Sequence, residues 1–124
     1  MGIKQQSTKT PAQMTGAAAE SRACWWLRLY GWRICARNWI GGGGELDIVA
    51  SRWRTLLIVE VRQRTTLAMA MASIDEEKIS KVMSATQSLI HQHGLERYHL
   101  RFDAMGWDER GHLRWASDIM RANE

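Results

Sequence analysis

Cysteine is scarce in this chain: of 124 residues only two, Cys24 and Cys35, are thiols. They do not form a Cys-x-x-Cys pair, and two thiols cannot supply a metal finger. Both read as buried or half-buried free cysteines. No apolar run approaches the roughly 20 residues that cross a bilayer, so no membrane partner is expected. Met1 to Thr15 is polar and lacks the apolar stretch of a secretory signal; the expected location is the cytoplasm. The run Gly41 to Gly44 lacks the Gly-Lys-Ser/Thr that completes a phosphate-cradling loop, and a strand-like segment follows it. It reads instead as a flexible turn or open loop. The four histidines make no metal constellation, since His91 and His93 are two apart on a helix-like segment and face different ways. There is no internal repeat.

What is present describes one small domain. Hydrophobic residues make up 45% of the chain, enough for a core and too many for a wholly disordered protein. The formal charge of +4 favours polyanionic partners without deciding the matter. Seven tryptophans are many for this length; core and helix-packing anchors account for most, and some could stack on bases. Residues 1–15 read as a disordered tail, 16–120 as the domain and 121–124 as a frayed C-terminus.

Within the domain, Ala19, Ala23, Trp26, Leu27 and Tyr30 recur at helical steps from Gly16 to Tyr30, with Glu20 beside that face and Gly31 as the stop. Trp32 to Trp39 is a candidate strand with Ile34 and Ala36 on one side. Glu45 to Ala50 is a short strand, and Ser51 to Thr55 is a turn that carries Trp53. Leu56 to Arg64 is the strongest strand, its near-continuous apolar run fitting the centre of a sheet buried on both faces. The Met- and Ala-rich stretch Thr65 to Ser73 is unassigned. Ile74 to His93 is the clearest helix, with Asp75, Glu76 and Glu77 in its first turn and Gly94 at its end. Arg97 to Met105 and Leu113 to Ala116 read as strands around a turn at Asp108 to Gly111. Short turns make the first three strands antiparallel, and the long helix allows a crossover to a parallel neighbour.

Charges interrupt two of these strands. Asp47 sits inside Glu-Leu-Asp-Ile-Val-Ala, and Glu60 and Arg62 sit inside Ile-Val-Glu-Val-Arg. Alternation puts Glu60 and Arg62 on one face, with Ile58. A neighbouring strand can set Asp47 opposite them. Two close, partly buried carboxylates repel unless a proton or cation lies between them. Mg²⁺ suits such a place, because it takes one or two carboxylates and fills its shell with water and phosphate oxygens. An edge-strand ion pair is the plainer account of Glu-x-Arg. Lys78 and Lys81, three apart on the long helix, either reach phosphates or are solvated. Arg101 and Asp103 share one side of their strand and are expected to pair with each other.

Several short motifs occur together in order: Gly16-x-x-x-Glu20-x-x-Ala23 with Leu27, Gly31 and Asn38; Gly44-Glu45-Leu46-Asp47; Val59-Glu60-Val61-Arg62 with Arg64; Lys78; and Arg101-Phe102-Asp103. In this the sequence resembles the YraN-like family of small bacterial proteins, within the PD-(D/E)xK nuclease superfamily. The resemblance implies an α/β, restriction-endonuclease-like three-layer fold, a central mixed β-sheet of four or five strands flanked by helices. It implies a catalytic site of Asp47, Glu60 and Arg62. It implies Mg²⁺ or Mn²⁺ held by Asp47 and Glu60, with Glu20 joining from the first helix as in the related Holliday-junction resolvases. Arg62, Arg64 and Lys78 would meet nucleic acid, DNA above all. The departure is Arg62, where the superfamily has Lys. Arginine stays protonated and cannot act as a base, though it can clamp phosphate.

The expected function is a metal-dependent endonuclease acting on DNA, including branched DNA; a homodimer would be needed to cut both strands of a junction. The alternatives are a non-catalytic nucleic-acid-binding module on the same fold, and a partner-binding protein with an exposed tryptophan such as Trp53 as its anchor.

Overall fold

A computed structural model describes residues 11–120, with side chains from Gly16 onward. It contains α1 (Pro11–Leu29), β1 (Arg33–Gly41), β2 (Gly44–Arg52), β3 (Thr55–Gln63), α2 (Leu67–Ala72), α3 (Glu76–His93), β4 (His99–Trp107) and β5 (Leu113–Ala116). Met1 to Thr10 of the expected tail and the expected frayed end at 121–124 lie outside the described residues. Residues 11–15, also assigned to the tail, are helical. Helix propagation needs one hydrogen bond per residue rather than a buried face, so it can run beyond the apolar pattern.

The five strands form one mixed sheet in the order β1-β2-β3-β4-β5. β1, β2 and β3 are antiparallel neighbours, β3 and β4 are parallel, and β5 returns antiparallel to β4. The α2–α3 segment makes the crossover, as the length of the connection requires. Apart from α2, a short helix in the unassigned Met- and Ala-rich stretch, the order of elements, the mixed sheet and the central position of the Leu56 strand are as the sequence indicates.

Helices cover both faces. On one, Ala19, Ala23 and Leu27 of α1 meet Ile48, Ala50, Leu57, Val59 and Met105. On the other, Val82, Ala85 and Leu89 of α3 meet Leu46, Val49, Leu56, Ile58 and Phe102. Consecutive residues of β3 thus feed opposite cores, which is why its apolar run is unbroken before Glu60. Among the described residues no helix is long and apolar enough to cross a membrane.

Local signals set the element ends. Helix α1 stops at Gly31 (φ 88°), whose N–H bonds to Arg28 O while Trp32 N–H bonds to Leu27 O. These paired bonds satisfy carbonyls the helix leaves over. Asp75, expected in the first turn of α3, is instead its N-cap and accepts from Lys78 N–H at 2.8 Å. Ile34 and Ala36 do not share a side. The β1–β2 register shifts between them, a bulge that spends one extra residue at Cys35 and sends Ile34 to the α1 core and Ala36 to the α3 core.

The glycine run is tighter than an open loop. Gly41 pairs with Gly44, leaving a two-residue turn at Gly42 (φ 59°) and Gly43 (φ 81°). Two positive φ values in succession match the hairpin turn that suits strand twist. The turn is pinned to α3, where Ser84 Oγ donates to Gly42 O at 2.6 Å. A Cβ on Gly44 would strike Lys81 O. Gly44→Ala is therefore expected to cost about 1–3 kcal/mol, the usual penalty for overpacking. Urea denaturation checks this, and an unchanged midpoint would contradict the close approach.

Candidate functional site

Asp47 and Glu60 are both buried, at 7% and 3% exposure, in a protein whose other buried acidic side chain among the described residues is Asp103. Their positions follow from the β2–β3 ladder. The paired register ends at Ile48 opposite Val59, so the next step outward sets Asp47 across from Glu60. There the strands part. Asp47 fills the gap with its side chain: Oδ2 accepts from Val61 N–H at 2.9 Å. This bond satisfies a buried backbone donor and fixes the carboxylate.

The two acids share one cation, and it belongs to the chain. Arg62 Nη1 lies 3.4 Å from Asp47 Oδ2, and Nη2 lies 3.6 Å from Glu60 Oε1. Arg62 Nη1 also donates to Val61 O at 2.9 Å. Lys78 reaches down from α3 to within 3.5 Å of Glu60 Oε1. Neither oxygen of Glu60 accepts a hydrogen bond. Burial, and then the negative charge of Asp47, push the Glu60 carboxyl up to about 7, against the opposing pull of Lys78, Arg62 and the nearby Asp47 backbone N–H, which is too poorly placed for a well-formed hydrogen bond. A carboxyl in this state is half protonated near neutral pH.

A cleft of about 490 Å³ opens beside Asp47 and Arg62, with Glu60 and Lys78 set behind its lining. Glu20 and Asp47 line it on one side; Arg62, Gln63 and Arg64 line it at the end of β3, and Glu109 comes from the β4–β5 turn. Arg64 is exposed there, its Nη1 donating to Gln63 O at 2.8 Å. Glu20 is tied to β1 instead of to the other acids. Its Oε2 accepts from Asn38 Nδ2 at 3.1 Å, and Oε1 lies 3.6 Å from Arg37 Nη2. Burial foremost raises the Glu20 carboxyl above its ordinary value, the Asn38 bond opposes this, and the charge of Asp47 adds to it. Among the described residues no three His, Cys, Asp or Glu side chains converge as a metal cluster. Asp47, Glu60 and Arg62 thus come together, Lys78 joins them through Glu60, and Glu20 and Arg64 stand on the cleft wall.

Two further contributors, Arg37 and Glu109, had no readable signal, and Asn38 stood in the motif set without an assigned role. Asn38 takes a left-handed backbone (φ 50°), which brings its amide to Glu20; its neighbour Arg37 also reaches that carboxylate. Glu109 reaches the cleft because Asp108 closes the β4–β5 turn, accepting from Arg110 N–H and His112 N–H at 2.9 Å each. Arg101 and Asp103 pair as expected, at 2.9 and 3.0 Å, and so belong to the framework. Trp32 and Trp107 are core anchors, whereas Trp25 and Trp53 are exposed, Trp53 at 93%. Lys81 pairs with Glu77 on the surface of α3.

The matches to other proteins cover most of this arrangement. Residues 19–106 match the model of the family described as "Uncharacterised protein family UPF0102". A UPF0102 protein of Rhizorhabdus wittichii is 37% identical over 97 residues, 78% of this chain and 82% of the relative. One of Sphingopyxis alaskensis is 37% identical over 98 residues, with 79% and 84% covered. One of Bartonella bacilliformis is 36% identical over 100 residues, with 80% and 82% covered. The matched span carries Glu20, Asp47, Glu60, Arg62, Arg64 and Lys78, and the chain belongs to the UPF0102 family.

Proposed function

We propose that this protein is a metal-dependent endonuclease of the restriction-endonuclease-like, PD-(D/E)xK type, which hydrolyses DNA phosphodiester bonds in the cytoplasm and takes branched DNA among its substrates. The observation that carries the reading is the pair of buried carboxylates, Asp47 and Glu60, facing one guanidinium, with Asp47 and that guanidinium lining an open cleft. The layered fold with a mixed sheet agrees with it.

The donors fit a hard divalent cation such as Mg²⁺ or Mn²⁺. They are carboxylate oxygens, and both oxygens of Glu60 are buried without a hydrogen-bond partner. Asp47 and Glu60 would hold the ion, with water and phosphate oxygens completing its shell. When bound, such a cation offsets the charge that builds on the phosphate oxygens and makes water a better nucleophile. The chain's own groups do the rest. Val61 N–H fixes Asp47. Arg62 clamps the phosphate through its planar fork. Arg64 on the rim gives a phosphate contact that positions the strand. Lys78 balances charge at Glu60. Glu20, held by Asn38, adds negative charge on the cleft wall that favours a cation.

A second reading, a nucleic-acid-binding module without turnover, is favoured by one observation: Arg62 already spans the two acids. The two readings part on hydrolysis of labelled linear, flapped and four-way DNA with Mg²⁺ or Mn²⁺. The nuclease reading expects cleavage that chelator abolishes and that Asp47→Ala lowers by at least about 100-fold, since even outer-shell losses at metal sites cost 10–100-fold. Salt-sensitive binding with no cleavage, unchanged in Asp47→Ala, would support the module instead.

A further inference from the structure

We propose that Arg62 is the resident cation of the acid pair, and that nucleic-acid phosphate draws it away, so that the divalent metal binds more tightly when nucleic acid is in place. The proposal rests on the metal-nuclease reading and adds to it how the site is regulated.

The geometry supplies both halves of the exchange. Arg62 stands where a shared ion would stand, its two terminal nitrogens directed to different carboxylates. Yet it holds them loosely. At 3.4 and 3.6 Å, both contacts are longer than the 2.7–2.9 Å typical of a charge-assisted hydrogen bond. Neither Glu60 oxygen gains a bond from it. Its one short contact is to the neighbouring Val61 carbonyl. The same guanidinium lines the open cleft, where an incoming phosphate would offer its planar fork two parallel bonds at once. Phosphate is thus a better partner for Arg62 than the acids are.

Charge sets the order of events. With Arg62 in place, Asp47 and Glu60 are opposed by two side-chain cations, Arg62 and Lys78. A metal ion entering then would meet both of them at close range. With Arg62 drawn onto phosphate, Lys78 alone faces the pair, and the repulsion between the two carboxylates favours a new cation. A lysine in place of Arg62 has one compact ammonium and cannot span two acids in this way, so the device depends on the residue by which this chain departs from the superfamily pattern. Binding equilibria are reciprocal, so metal must tighten nucleic acid by the factor by which nucleic acid tightens metal.

The test measures binding, with no turnover needed. Free Mn²⁺ is followed by its paramagnetic resonance as it is titrated into the full chain, with and without a phosphorothioate four-way DNA. DNA is expected to tighten Mn²⁺ at the wild-type site by at least about tenfold, within the range usual for coupled sites. Arg62→Gln is expected to bind Mn²⁺ about tenfold more tightly than wild type without DNA, and to lose most of the gain on adding DNA. A thermal melt of the variant establishes that it folds; if it does not, the wild-type comparison decides alone. Mn²⁺ binding that Asp47→Asn removes, but that neither DNA nor Arg62→Gln alters, overturns the proposal and leaves the metal site standing. No Mn²⁺ binding in any form overturns both.

Discussion

Asp103→Ala is expected to cost about 3–5 kcal/mol of folding stability, the usual loss when one partner of a buried ion pair is removed. Asp103 is fully buried. Its Oδ1 accepts from Arg101 Nε at 3.0 Å and from Asp118 N–H at 2.8 Å. Its Oδ2 accepts from Arg101 Nη2 at 2.9 Å and from Trp115 Nε1 at 2.8 Å. One carboxylate thereby ties β4 to the edge strand β5 and to the chain beyond it. β5 has only four paired positions with β4, Leu113 to Ala116, so it depends on these bonds more than an interior strand would. Alanine leaves the Arg101 guanidinium and the Trp115 indole N–H without their acceptor. Asp103→Asn is expected to fall between, since its amide keeps one acceptor oxygen but turns a donor toward other donors. Urea denaturation followed by tryptophan fluorescence reads the change. A loss under about 1 kcal/mol in Asp103→Ala, within the range of an ordinary hydrogen bond, would contradict this account.

Glu60→Gln is expected to act in the opposite direction, strengthening the fold at pH 8 by on the order of 3 kcal/mol. An acid moved from its ordinary 4.5 to about 7 weakens the folded state by about 1.36 kcal/mol for each pH unit of that interval. The sign follows from proton counting. Between pH 4.5 and 7 the folded chain keeps a proton on Glu60 that the unfolded chain has released, so stability falls as pH rises and the full penalty stands above pH 7. Glutamine carries no such charge at any pH. The difference in unfolding free energy between wild type and variant should thus be near zero at pH 4 and largest at pH 8. A difference that does not change with pH would mean that Glu60 is not destabilised by its surroundings. The same substitution should abolish Mn²⁺ binding, because an amide is a poor substitute for a carboxylate on a hard cation. Glu60 would then be a residue kept for function at the expense of stability.

The fold was legible where a residue's own pattern determines its place. The apolar run Leu56 to Val59, resumed at Val61 after Glu60, suits burial on both faces, and it lies at the middle of the sheet. The stripe Ile79, Val82, Met83, Thr86, Leu89, Ile90 and His93 needs a partner surface; Val82, Thr86 and Leu89 are buried against the sheet and Ile90 packs beside them, whereas Met83 and His93 are exposed. Acids inside strands signalled the site, because a carboxylate among β-branched and aliphatic residues is costly without a reason. The features that escaped depend on contacts between distant segments. The bulge at Cys35 is set by β2, and the tight glycine turn by the approach of Ser84 and Lys81. Lys78 reads from its spacing as a phosphate contact or a solvated lysine, and one helix packing on one sheet adds its contact with Glu60. Nor does spacing show the amide partner on β1 that the left-handed backbone at Asn38 gives Glu20. No spacing rule within a single segment encodes such meetings.

The most direct measurement is anomalous diffraction from crystals of the protein grown with Mn²⁺ and a phosphorothioate DNA. The account predicts one strong peak within about 2.0–2.3 Å of both an Asp47 oxygen and a Glu60 oxygen, with the Arg62 guanidinium turned onto a phosphate. DNA bound in the cleft with no ion between those two acids, and Arg62 still spanning them, would contradict it.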